Sequence, residues 1–287
     1  MGAKPAAIMA GMRPPFFLPL LSLVGTMLVA APAAAENQSP PTAETTKATA
    51  SAQAIFGSRK GGFVFTDCRT GETTRIHPAI TGQPFPPCST FKIWNTAIGL
   101  EEGILTRPDE PFYKWDGVKR FMEAWNHDLT LREAYQASCV PAFQQLARRI
   151  GEPAMKRWIA RLGYGDGNTA AGLDVFWLPE VGRKPILISA QEQTALLRRL
   201  VSGELPFSEH TRTVLREVME ITKSKRGTLY GKTGTGQAGG QSISWFVGYL
   251  QSGEKAWAFA AVLQEPGMTG RDTRLLVEEF LHKEGLL

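Results

Sequence analysis

The sequence predicts an α+β protein: one antiparallel sheet assembled from the N- and C-terminal segments, flanked by helices, with an all-helical region inserted between the two. Three observations predict it. Short β-rich runs and turns fill the stretch after Ile55, apolar residues at helical spacing dominate from Phe91 to about Lys225, and the period changes back after Thr228.

Taken in order, Ile55-Phe56 and Phe63-Val64-Phe65 around Gly61-Gly62 read as strands with a turn, and Arg69-Thr70-Gly71 is the next turn. The inserted region, about 92–225, carries Phe143, Leu146, Ala147 and Ile150, then Leu196, Leu197, Leu200 and Val201, each set on one helix face. Ile243, Trp245, Val247 and Tyr249 alternate with other residues as a strand does. Ala256 to Leu263 reads as a buried strand, and Asp272 to Lys283 as a closing helix.

The chain of 287 residues is 43% hydrophobic and 21% charged, a globular balance rather than a disordered one. A net charge of +5 without a long Lys/Arg run leaves no clustered nucleic-acid footprint. Four histidines and three cysteines stand without short ligand spacings, so no metal site is expected.

The domain organisation follows from composition. Lys4 and Arg13 precede a largely apolar run from Phe16 to Ala30, and Ala33-Ala34-Ala35 offers a small-residue cleavage site, so residues 1–35 read as a signal peptide. The apolar run falls short of the roughly 20 residues that span a bilayer, so no stable membrane anchor is expected. The mature chain is expected outside the cytoplasm, periplasmic or secreted. Residues 36–54, rich in Pro, Thr, Ala and Ser, read as a flexible leader, and residues 55–287 as one folded domain.

Two constellations carry chemistry. In Ser89-Thr90-Phe91-Lys92, a helix starting after Pro86-Pro87 sets Ser89 and Lys92 on one face, beside the free N–H groups of the first turn. Serine becomes a nucleophile only next to a base, and a lysine amine serves when burial disfavours its charge. A plain helix N-cap with a solvated lysine is the competing reading. The same spacing recurs at Ser252 and Lys255, in a polar turn where the lysine is solvated. The second constellation, Tyr230-Gly231-Lys232-Thr233-Gly234-Thr235-Gly236, places a lysine and a hydroxyl on a strand edge, suited to a carboxylate, with glycines that let a substrate approach the backbone. A phosphate loop is excluded because Arg226 stands where that loop requires glycine.

Ser89-x-x-Lys92, then Ser138-Cys139-Val140, then Lys232-Thr233-Gly234 resembles the ordered motif set of the penicillin-recognising serine enzymes. Within that group the chain resembles the class D, oxacillinase-type β-lactamases, through Ser-Thr-Phe-Lys-Ile, a valine two residues after Ser138, Tyr164-Gly165-Asp166 in place of Tyr-Gly-Asn, and Phe176-Trp177-Leu178. The likeness runs from about Ile55 to Leu287. It implies that Ser89 attacks the lactam carbonyl, that the backbone N–H groups of Ser89 and Thr235 hold the oxyanion, and that Lys92 carries a carbon dioxide-derived carbamate, with no other cofactor. It further implies that Trp177 donates to that carbamate and Ser138 relays a proton to the lactam nitrogen. Val140, which also keeps the pocket dry, and Tyr164 are among the substrate-binding residues, and Lys232, Thr233 and Gly234 bind the substrate carboxylate. An arginine of the last helix assists, Arg274 slightly favoured over Arg271. The implied partners are small-molecule β-lactams, and the implied activity is their hydrolysis, which confers antibiotic resistance. A penicillin sensor or a transpeptidase, acylated without turnover, is the alternative. Asp166 in place of asparagine predicts an added carboxylate near the carbamate, and export permits a Cys68–Cys88 disulfide.

Overall fold

The computed structural model describes residues 50–287. Along the chain run α1 (Ala50–Phe56), β1 (Gly61–Asp67), β2 (Thr73–Ile76), α2 (Pro78–Thr81), a 3₁₀ turn (Cys88–Phe91), α3 (Lys92–Glu101), β3 (Pro111–Tyr113), β4 (Leu129–Thr130), α4 (Leu131–Gln136), α5 (Val140–Ile150) and α6 (Glu152–Leu162). After them come α7 (Ala190–Val201), α8 (Glu209–Met219), β5 (Glu220–Lys223), β6 (Thr228–Ala238), β7 (Gln241–Ser252), β8 (Lys255–Leu263) and α9 (Gly270–Lys283).

Six strands form one antiparallel sheet in the order β2-β1-β8-β7-β6-β5, so the N-terminal hairpin is stitched onto β8 from the other end of the chain. This is the architecture read from the sequence. Both faces of the sheet are covered. Phe63, Phe65, Phe246, Leu250, Phe259 and Leu263 meet α1 and α9, whereas Val64, Trp245, Val247, Tyr249, Ala260 and Val262 join the core under the inserted helices. Phe280 of α9 lies edge-on to Phe63 and to Phe65, at 5.0 Å each, an arrangement worth about 0.5–1.5 kcal/mol per pair beyond the area buried.

The helix starts follow local chemistry. Thr130 with Glu133 and Ser189 with Glu192 close capping boxes on α4 and α7, and Pro141 occupies the first turn of α5, where a missing N–H costs nothing.

Three readings of the sequence are corrected. Ile55-Phe56 is the end of helix α1, not a strand, because Ala52, Ile55 and Phe56 form one apolar stripe packed on the sheet; the helix also takes up the last residues of the stretch read as leader. The inserted region ends at Met219, since Glu220–Lys223 pairs with β6, and it contains the short β3–β4 ladder besides its helices. The signal peptide and the first part of the leader lie outside the described residues. Among the described residues no helix is long and apolar enough to cross a membrane.

Candidate active site

The strand edge and the nucleophile turn meet because of where the glycines fall. Beyond Tyr230, β6 pairs with β7 but no longer with β5, and the 3₁₀ turn lies across this stretch. A Cβ at Gly234 would stand 3.0 Å from the Pro87 carbonyl oxygen, and one at Gly236 would stand 2.7 Å from Cys88 Sγ and from Pro179. The sequence suggested that these glycines admit substrate. In the fold they admit the turn that carries Ser89.

That turn is 3₁₀, where side chains three apart eclipse rather than stagger. Ser89 and Lys92 therefore face each other, and Lys92 Nζ donates to Ser89 Oγ at 2.9 Å. Ser89 is half-buried, whereas Lys92 is 0% exposed, on a helix whose residues Lys92 to Leu100 are all buried. The Phe143 ring centroid lies 5.3 Å from Nζ. Desolvation, the main cause, brings the Lys92 pKa from 10.5 down to about 7. The competing N-cap reading, with a solvated lysine, is thereby overturned.

Because the folded pKa lies below the unfolded value, the cost of burying Lys92 is full below about pH 7 and fades as pH rises from 7 toward 10.5. In carbon dioxide-free buffer, Lys92→Met is expected to raise the thermal midpoint at pH 6, with a gain that shrinks at pH 9; a pH-independent difference would contradict a depressed pKa.

Around this pair the other predicted residues gather from four segments. Ser138, two residues beyond α4, has a left-handed backbone, φ 51°, and Trp125 fixes that corner by donating from Nε1 to the Ala137 carbonyl at 2.9 Å. Val140 opens α5 half-buried. Lys232 is 4% exposed, with Nζ donating to the Thr233 carbonyl at 3.1 Å and lying 5.7 Å from the Tyr135 ring centroid. Burial, reinforced by the charge of Lys92, holds its pKa well below the ordinary lysine value. Thr235 is exposed; its Oγ1 accepts from Gly270 N at 2.8 Å, tying β6 to the start of α9.

Trp177 is 0% exposed, stacked on Phe91 at 5.5 Å, and its indole N–H finds no partner among the described residues. A buried donor without an acceptor beside the residue preceding Lys92 suits an oxygen delivered into the Lys92 pocket.

Three expectations change at this site. Tyr164 is 1% exposed and packs edge-on against Phe91 at 5.2 Å and Trp94 at 6.1 Å, so it supports the nucleophile turn from beneath and does not border the cleft. Asp166 is exposed, and its Oδ1 accepts from the N–H groups of Asn168 and Leu187 at 3.1 Å each; it closes the loop around Gly165 instead of facing Lys92. Gly165 is required there, since at φ 52° a Cβ would lie 2.0 Å from the Leu187 carbonyl oxygen. Arg274 is half-buried on α9 and forms an ion pair with Glu278 at 2.7 Å, and Arg271 is exposed beside Gly270, the residue bound to Thr235. Cys68, Cys88 and Cys139 are all free and buried. The expected Cys68–Cys88 bridge is absent because Cys68 pairs its backbone with Ala256 at the end of β1, while Cys88 is wedged against Gly236 and Pro179.

Sequence reasoning missed Gln193 of α7, buried, whose Nε2 donates to Thr90 Oγ1 at 3.2 Å, while Thr90 Oγ1 donates to the Pro87 carbonyl at 2.7 Å. No local signal marks it, for only folding brings α7 to the turn.

A serine paired to a buried lysine, beside a Lys-Thr-Gly strand and under a sheet closed by the C-terminal helix, defines the penicillin-recognising serine enzymes. The penicillin binding protein transpeptidase domain matches residues 61–282. The chain is 33% identical over 232 residues to the probable β-lactamase YbxI of Bacillus subtilis, covering 81% of this chain and 84% of the relative. The crystal structure of FUS-1 (OXA-85), a class D β-lactamase from Fusobacterium nucleatum subsp. polymorphum, superposes with a TM-score of 0.78 at 31% identity, over 84% of this chain and 100% of that one. The regulatory protein BlaR1 of Bacillus licheniformis is 28% identical over 80% of this chain and 37% of its own length. The chain belongs to the penicillin-binding transpeptidase family and, within it, to the class D β-lactamases.

Proposed function

We propose that this chain hydrolyses β-lactam antibiotics through an acyl-enzyme on Ser89, with Lys92 as the basic centre. The observation that carries the reading is a lysine nitrogen 2.9 Å from a half-buried serine oxygen, in surroundings that strip the lysine of its charge near neutral pH.

In this reading the neutral Lys92 amine takes the Ser89 proton as Oγ attacks the lactam carbonyl. The C–N bond then breaks and the ring nitrogen receives a proton through Ser138. The backbone N–H groups of Ser89 and Thr235 hold the oxyanion, each such donor being worth about 3–4 kcal/mol. Lys232, Thr233 and Gly234 receive the substrate carboxylate, with an arginine of α9, Arg274 or Arg271, assisting. Val140 and Phe143 keep water from Lys92. A carbon dioxide-derived carbamate on Lys92 fits the pocket, with the unpartnered Trp177 N–H to hold it, and supplies a carboxylate-type base for the hydrolytic water. Resistance to β-lactams and export behind the segment 1–35 complete the reading.

The test is turnover of a chromogenic cephalosporin by the purified protein. Many equivalents cleared per protein are expected. One equivalent followed by arrest would instead assign a sensor or transpeptidase, the behaviour for which likeness to BlaR1 provides the rival.

A further inference from the structure

The structure assigns to Trp245 the task of holding the two oxyanion donors in one frame, an inference that rests on the acyl-enzyme reading above. The donors belong to segments far apart in sequence. Ser89 sits on the 3₁₀ turn, and Thr235 on β6. Their spacing decides how well a tetrahedral intermediate is held, so something must fix the turn against the strand.

The turn cannot hold itself. Cys88, immediately before Ser89, is a non-glycine residue at φ 52°, a strained backbone state that persists only where its surroundings impose it. Trp245 imposes it from both sides. On β7 it stands directly opposite Gly234, the neighbour of Thr235. Its indole Nε1 donates to the Pro86 carbonyl at 2.9 Å, two residues before Cys88, and both groups are buried. Because Gly234 has no side chain, the turn settles directly over that residue. One residue thus fixes β6 through its backbone and the turn through its side chain. Phe85, edge-on at 6.3 Å, steadies the ring. Trp245 touches no reacting atom in this account and is a positioning residue.

The test compares Trp245→Phe, which keeps an aromatic ring and loses the N–H, with Trp158→Phe. Trp158 donates its own indole N–H to Glu102 at 2.7 Å, away from the turn, so this control loses an equivalent bond elsewhere. Trp245→Phe is expected to slow acylation of Ser89 about 10- to 100-fold, as small misplacements do. It should weaken to a similar degree a boronic acid that places a tetrahedral oxygen between the donors, whereas Trp158→Phe lowers the thermal midpoint but leaves both readouts at the wild-type value. Should Trp245→Phe fold poorly, benzothienylalanine at position 245, an indole isostere with sulfur in place of N–H, keeps the packing and is expected to show the same losses. Wild-type acylation and boronate affinity in a folded position-245 variant would overturn the assignment, as would equal losses in the Trp158→Phe control. Failure of the wild type to turn over any β-lactam would instead bring down the reading beneath it.

Discussion

Ser89→Ala removes β-lactam turnover, by a factor on the order of 10⁴ or more, while the protein still folds. The size of the loss follows from the chemistry: without Oγ there is no covalent intermediate, and only binding and the oxyanion donors remain. The intact fold follows from the structure. Ser89 is half-buried and its hydroxyl has one side-chain partner, Lys92, so its removal deletes no core packing and no cap. The check is steady-state hydrolysis of a penicillin together with circular dichroism. Residual multiple turnover in a folded variant would take the nucleophile's role from Ser89.

Lys92→Ala has a different expected signature. Acylation slows, but deacylation is lost more severely, by about 10²–10⁴-fold, because the base for the hydrolytic water resides only there. The acyl group on Ser89 should then persist long enough to appear as one added mass of substrate in intact-protein mass spectrometry. The wild type should show the same trend with acid. As pH falls through about 7, a growing share of Lys92 is ammonium, which is neither a base nor reactive toward carbon dioxide, so activity falls; added bicarbonate draws the remaining neutral amine into the carbamate and restores it. A Lys92→Ala variant that deacylates at the wild-type rate would place the base elsewhere.

Much of this was legible in the sequence, and the limits have physical causes. The spacing of Ser89 and Lys92 marked the pair, yet a 3₁₀ turn rather than the first turn of an α-helix is what eclipses the two side chains. The alternation of Ile243, Trp245, Val247 and Tyr249 marked a strand, but showed one face only; Phe246 and Gly248 between them and Leu250 after them are buried as well, because α1 and α9 cover the other side. Ile55-Phe56 has β-forming composition, and tertiary packing on the sheet overrides it. Gly234 and Gly236 were visible as permissive positions, whereas the identity of what comes close to them is a fact of topology. The same holds for Gln193 and for the Trp245 bond to Pro86, whereas Arg274 and Glu278, one turn apart on a helix, pair locally.

The most direct measurement is ¹³C NMR of the protein equilibrated with ¹³C-labelled bicarbonate above and below pH 7. A single carbamate carbon resonance is expected at the higher pH, weakening with acid in step with activity and missing from Lys92→Ala. Full activity in the wild type with no such resonance would contradict the role given to Lys92.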